Sequence, residues 1–263
     1  MTTPTEWITE RRVVVREDPA DVAAVVADRL TGKLVRWTRK KRPVHLSLTG
    51  GSMGGSVLRA VGADPRQGLI NWSRVHFWWS DERFVPRADG DRNALQAREA
   101  LLDHIEVPAD NIHEMASTDD GMDLDAAAAA YAAELARFGT PRQPWPSFRV
   151  CLLGVGPDAH IASLFPDRDE IRIADSSTAA VRDSPKPPPE RVTVTRPVIN
   201  SSERVWMALA GADKASALGL TLTGASYASV PAAGAKGRKR TVLFVDTAAA
   251  AHVPPELIDP DAA

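Results

Sequence analysis

The chain of 263 residues contains one cysteine, Cys151. A single thiol excludes an internal disulfide and every multi-cysteine metal site. Its position inside the apolar run Val150 to Val155 predicts a packed core residue and not a nucleophile. An excess of charge of either sign is also missing, with 32 basic side chains against 34 acidic ones. That balance offers nucleic acid no electrostatic footprint. Long apolar runs are absent too: nothing approaches the roughly 18 consecutive apolar residues of a membrane span. The opening MTTPTEWITERRVVV has no apolar segment of the kind that leads a secreted chain. The expectation is a soluble, cytoplasmic protein with no membrane and no nucleic-acid partner. The histidines other than His160 show no metal-ligand spacing, so no metal is expected, and ordinary packing or exposure is the reading for each, including His252 in the tail.

A hydrophobic content of 44% over this length is enough to bury a full core. The absence of a repeat or a clear linker predicts a single α/β domain over 1–263. Asp18-Pro19 reads as an N-cap followed by an N1 proline, and Val22, Val25, Val26, Leu30 and Leu34 recur at helical spacing up to about Trp37. The basic run Arg36 to Arg42 then complements the negative end of that helix. VHLSLT is a strand, followed by a glycine turn and a helix through Ser56 to Val61. Arg74 to Ser80, rich in aromatic residues, is a second strand that delivers Asp81, Glu82 and Arg83 at its carboxyl end. Helices are expected from about Asn93 to Asp103 and from about Leu124 to Phe138. Further strands cover Phe148 to Leu153, Arg204 to Ala210 and Thr241 to Val245, and the polar, proline-rich stretch at about 167–190 reads as a surface excursion. Strands alternating with helices imply a mostly parallel sheet flanked by helices, with ligands beyond the carboxyl ends of the strands.

Three turns lie at such ends. In LTGGSMGG, Gly50, Ser52 and Gly54 spell the G-x-S-x-G of a nucleophile elbow, but no oxyanion-type HGGG segment precedes it, and the serine follows an early strand. Gly50 and Gly55 have the spacing of a nucleotide-binding loop, yet Ser56-Val57 stands where its Lys-Ser/Thr belongs. Gly154, Gly156 and Ala159 imitate a dinucleotide turn, although Asp158 would put a negative charge against the pyrophosphate, and Pro166 stops a helix within about one turn. What remains at Gly50 to Ser52 is a strand-to-helix turn with free backbone N–H groups and two hydroxyls. It suits a phosphate dianion, or it is a glycine turn needed only for its backbone geometry. His160 leaves a buried strand in the next such loop, where an imidazole that titrates near neutrality meets ligands. Arg83 is either a planar fork for an anion or a solvated partner of Asp81 or Glu82. Lys214 opens a helix against its dipole, which suits a bound anion or a flexible surface lysine.

Five separated blocks together resemble one family. They are LTGGSMGGSVLRAV, FWWSDERFVPRADGDRNA, LLGVGPDAHIASLFP, RVTVTRPVINSSERVWMALAGADKASAL and LFVDTAAA, in the same order over about residues 44 to 250. They are similar to the glucosamine-6-phosphate isomerase/6-phosphogluconolactonase family, on its lactonase side. The resemblance implies a Rossmann-like α/β sheet that works without a cofactor. It also implies hydrolysis of 6-phosphoglucono-δ-lactone to 6-phosphogluconate in the oxidative pentose phosphate pathway. It assigns His160 as general base and Asp158 as the group that orients it. Arg83 and Lys214 would hold the substrate's anionic groups, Gly50, Gly51 and Ser52 would donate to the phosphate, and Asp81 would be a site residue. The partner is then a phosphorylated sugar lactone, and the protein a monomer or small homo-oligomer. Three departures stand out: Ala159 replaces a glycine before His160, Pro157 replaces a polar residue, and Met53-Gly54 replaces Thr/Ser-Pro. A sugar-phosphate isomerase or deaminase of the same fold is the nearest rival, but the run from His160 into SLFP favours the lactonase. A non-catalytic sugar-phosphate-binding module is a rival of another class, and the segment before Asp18 leaves no room for the DNA-reading domain such regulators carry.

Overall fold

A computed structural model describes residues 11–251 and 253–258; most of the opening segment and His252 lie outside them. Six strands form a parallel sheet: β1 (Arg11–Arg16), β2 (Val44–Leu48), β3 (Val75–Trp79), β5 (Phe148–Gly154), β8 (Arg204–Leu209) and β9 (Arg240–Asp246). Their spatial order is β1-β9-β8-β5-β2-β3. Three further strands, β4 (Asp81–Arg83), β6 (Thr178–Val181) and β7 (Arg191–Val194), make a small antiparallel sheet in the order β4-β7-β6. Among the described residues seven α-helices connect the strands: α1 (Pro19–Trp37), α2 (Gly51–Ala63), α3 (Asn93–Ala100), α4 (Leu124–Arg137), α5 (Arg196–Asn200), α6 (Ala215–Leu222) and α7 (Pro231–Gly234). Among the described residues no helix is long and apolar enough to cross a membrane.

Local chemistry accounts for the longer elements. Asp18 accepts the N–H of Asp21 at 2.9 Å and Pro19 starts α1, whose buried stripe runs from Val22 through Val26 and Leu30 to Leu34 and Trp37. All five residues of β2 are buried, as a central parallel strand covered on both faces requires. β3 lies at the sheet edge. The Tyr131 hydroxyl of α4 accepts from the Trp79 N–H at 2.9 Å and donates to its carbonyl at 3.2 Å, and the His113 N–H takes up the Phe77 carbonyl at 2.9 Å. Those contacts occupy groups that an edge strand would otherwise present to another chain.

The strand order decides where ligands meet the sheet. From β2 the chain moves outward to β3, whereas from β5 it moves the other way to β8 and β9. The direction changes between β2 and β5, and a crevice opens there beyond the carboxyl ends. Across it the Gly154 N–H donates to Thr49 Oγ1 at 3.1 Å.

The structure differs from the sequence reading in several places. β1 had no counterpart in it. Asp81 to Arg83 leave the large sheet and pair antiparallel with β7, because the Ser80 N–H bonds back to the Leu48 carbonyl and the Ser80 carbonyl accepts from Val194. The stretch at 167–190 is more than a surface excursion: Thr178 to Val181 form β6, and three of these four residues are buried.

Candidate functional site

Six chain segments line a cleft of about 190 Å³ above the β2/β5 crevice. The glycine turn after β2 is the first. Gly51 takes a φ of 76°, which an L side chain rarely adopts, and its N–H donates to Gln96 Oε1 at 3.1 Å. A Cβ at Gly50 would lie 1.7 Å from Asn93 Oδ1, so the close approach of α3 to this turn requires glycine. Gly50 and Gly51 line the cleft. Ser52, in the first turn of α2, is exposed and is not among the lining residues. The sequence reading placed its hydroxyl in the cradle, whereas here the residue is exposed.

The loop after β5 supplies the second segment. It closes on itself, with the Gly156 N–H donating to the His160 carbonyl at 3.0 Å and the Ala159 N–H to the Gly156 carbonyl at 2.9 Å. Ala159 has a φ of 64°. The methyl is thus accommodated in a conformation that costs an alanine about 1 kcal/mol or somewhat more, and the Ala232 N–H holds its carbonyl at 3.0 Å. His160 Nδ1 lies 2.6 Å from Asp158 Oδ1, and its ring packs against Phe165 with centroids 4.6 Å apart. Burial raises the Asp158 carboxyl, but the hydrogen bond and charge of His160, together with Lys186, outweigh it and hold the group well below the usual carboxylate range. An ionised carboxylate can only accept, so Nδ1 is the donor of this pair, and in the neutral ring Nε2 is then the acceptor.

Asp81 and Arg83 arrive from β4. Asp81 Oδ2 accepts from the buried Ser163 hydroxyl at 2.7 Å, which ties β4 to the histidine loop. Arg83 Nη1 donates to the Asp91 carbonyl at 2.5 Å, while its Nε is buried without a partner. Glu82 bonds backbone N–H groups of residues 83, 93 and 94 instead of the guanidinium. Lys214, just before α6, pairs with Asp213 at 2.6 Å and lines the cleft.

Two cations in the cleft escaped the sequence reading, Lys186 and Arg191. Both belong to the segment SPKPPPER, whose only signal was a lysine followed by three prolines. Lys186 Nζ lies 3.6 Å from Asp158 Oδ1. Asn93, buried and bonded through Nδ2 to the Asp81 carbonyl at 2.8 Å, was also missed. Arg83, Lys186, Arg191 and Lys214 therefore face Asp81 and the neighbouring Asp158 across one small volume. Such an excess of positive charge suits a phosphorylated or carboxylated ligand. Among the described residues no group of three or more His, Cys, Asp or Glu could hold a metal ion.

Residues 17–244 match the profile of the glucosamine-6-phosphate isomerases/6-phosphogluconolactonase family. The chain belongs to this family. Within it, the 6-phosphogluconolactonase of Streptomyces coelicolor is 43% identical over 256 residues, 96% of this chain and 98% of that one. The 6-phosphogluconolactonase of Mycobacterium tuberculosis is 44% identical over 235 residues, covering 89% and 94% of the two chains. Among solved structures, 6-phosphogluconolactonase from Thermotoga maritima superposes with a TM-score of 0.77 at 26% identity, covering 90% of this chain and 99% of that one. The Rossmann-like architecture is thus the family's own.

Proposed function

We propose that His160 is the general base in the hydrolysis of a phosphorylated sugar lactone. The activity is that of a 6-phosphogluconolactonase: hydrolysis of 6-phosphoglucono-δ-lactone to 6-phosphogluconate, as the relatives at 42–44% identity over most of their length indicate. The observation that carries the mechanism is the 2.6 Å contact between His160 Nδ1 and Asp158 in a cleft rich in cations.

Asp158 accepts the Nδ1 proton and fixes the ring, which leaves Nε2 to take a proton from water. The oxygen of that water bonds to the lactone carbonyl carbon, and the carbonyl π electrons move onto oxygen. Collapse of the tetrahedral species breaks the bond to the ring oxygen, which leaves with the proton returned by the imidazolium. A carboxylic acid and a free hydroxyl result, the base is restored, and the acid releases its proton to solvent to become the carboxylate. Arg83 and Lys214 hold the phosphate beside the glycine turn at Gly50 and Gly51, and their charge favours the developing anion. Asp81 keeps its place through Ser163.

Replacing His160 with alanine is expected to lower hydrolysis above the spontaneous rate by roughly 10²- to 10⁴-fold, the usual contribution of a positioned base. A coupled assay of the lactone measures it. An unchanged enzymatic rate would overturn the assignment of His160.

A further inference from the structure

Lys186 takes no part in the reaction as written above, yet its ammonium lies 3.5 Å from His160 Nδ1 and 3.6 Å from Asp158 Oδ1. Because the Nδ1 N–H donates its hydrogen bond to Asp158, Nδ1 has no lone pair for the ammonium, and what Lys186 contributes there is charge. Its placement is built into the fold. The Arg191 guanidinium, buried in β7, donates to the carbonyls of Lys186 and Pro187 at 2.9 Å each and of Pro188 at 3.1 Å. The Ser184 N–H closes the same arch on the Pro189 carbonyl at 3.0 Å. A buried arginine spent on three successive carbonyls holds the backbone that presents this lysine.

A carboxylate beside an imidazole orients it but also favours its protonated form, and a protonated ring cannot act as a base. A cation against the same pair opposes that effect. Of the other charged groups of the cleft, Lys214 pairs with Asp213, Asp81 accepts from Ser163, and Arg83 and Arg191 donate to backbone carbonyls, whereas Lys186 lies against both His160 and Asp158. We propose that Lys186 is a positioning residue for His160, its ammonium offsetting the Asp158 carboxylate so that Asp158 orients the imidazole without holding it protonated. The inference rests on His160 being the base.

Lys186→Met and Lys186→Arg test it in two measurements. In the Met variant the acid limb of kcat/KM against pH should move up by about one pH unit, the lower end of what an opposite or like charge at this range produces. The ring-proton NMR titration of His160 in the unliganded protein, assigned by its loss in His160→Asn, should move the same way. The Arg variant should keep both near those of the parent. The proposal is overturned if a folded Met variant leaves limb and titration in place while KM for the lactone rises, which would make Lys186 a ligand of the substrate. It is equally overturned if the Arg variant behaves like the Met variant. The titration needs no turnover, so a failure of His160 as base, seen with His160→Ala, is distinguishable from a failure of Lys186 to act on it.

Discussion

Single methyl groups test the site most directly, because glycine and alanine alternate where its loops approach one another. A Cβ at Gly156 would lie 2.0 Å from His160 Nδ1 and 2.4 Å from Asp158 Oδ1. Gly156→Ala therefore drives the pair out of register. A displacement near 1 Å can cost on the order of 10²-fold in rate, so kcat should fall that far while the melting temperature barely changes. At position 159 the side chain is already present in a left-handed conformation. Ala159→Gly removes that strain, worth about 1–2 kcal/mol, against roughly 0.4–1 kcal/mol of added unfolded-state entropy. Denaturant titration should find the variant slightly more stable than the parent. Ser52, exposed and outside the cleft lining, should take no label from a fluorophosphonate, and Ser52→Ala should leave KM near that of the parent. Covalent labelling of Ser52 would restore the elbow reading suggested by its spelling.

At the scale of elements, the amino end of α3 is held by an acid buried beneath it. Glu82 accepts the N–H groups of Arg83, Asn93 and Ala94 at 2.7–2.8 Å and lies 3.7 Å from Arg92. Burial is the dominant influence and lifts its carboxyl from 4.5 to about 7, with Arg92 and the N–H groups opposing. The folded state therefore binds more protons than the unfolded state between these values, so this group stabilises below about 4.5 and its contribution is lost as pH rises to about 7. Glu82→Gln removes that slope, and the difference between the two stability–pH curves measures it. The sequence showed α3, but extended it to Asp103, whereas the helix ends at Ala100 and passes into a short 3-10 turn. It did not show β4, β6 and β7, because strands of three or four residues are too short for a periodicity to stand out.

For the whole molecule, a stack of rings away from the cleft contributes to acid sensitivity. His45 accepts from Trp78 Nε1 at 3.1 Å, and His76 and His113 are joined nitrogen to nitrogen at 3.0 Å. Burial, reinforced by neighbouring histidines, pushes His45 down to about 3 and His76 to about 4 from 6.5. Stability from these neutral rings is complete above 6.5 and lost as pH falls toward 4. Two depressed histidines outweigh one elevated carboxyl, so the melting temperature should drop between pH 7 and pH 5, and more steeply in Glu82→Gln. Strands of both sheets contribute to a continuous apolar cluster, and we propose that they unfold together. Cys151 reports on this: burial lifts its thiol to about 12, so a thiol reagent should react only at the rate of global unfolding. From the sequence alone came the strand–helix alternation, the glycine turns, the packed cysteine and the residues His160, Asp158, Arg83 and Lys214, because periodicity, caps and family motifs are local. Only the tertiary structure decided that Ser52 faces solvent, that Asp81 bonds a serine 82 residues away, and that Lys186 reaches His160 across 26 residues. These contacts follow from strand order, which is settled by burying surfaces far apart in the chain and leaves no mark in any short stretch of it.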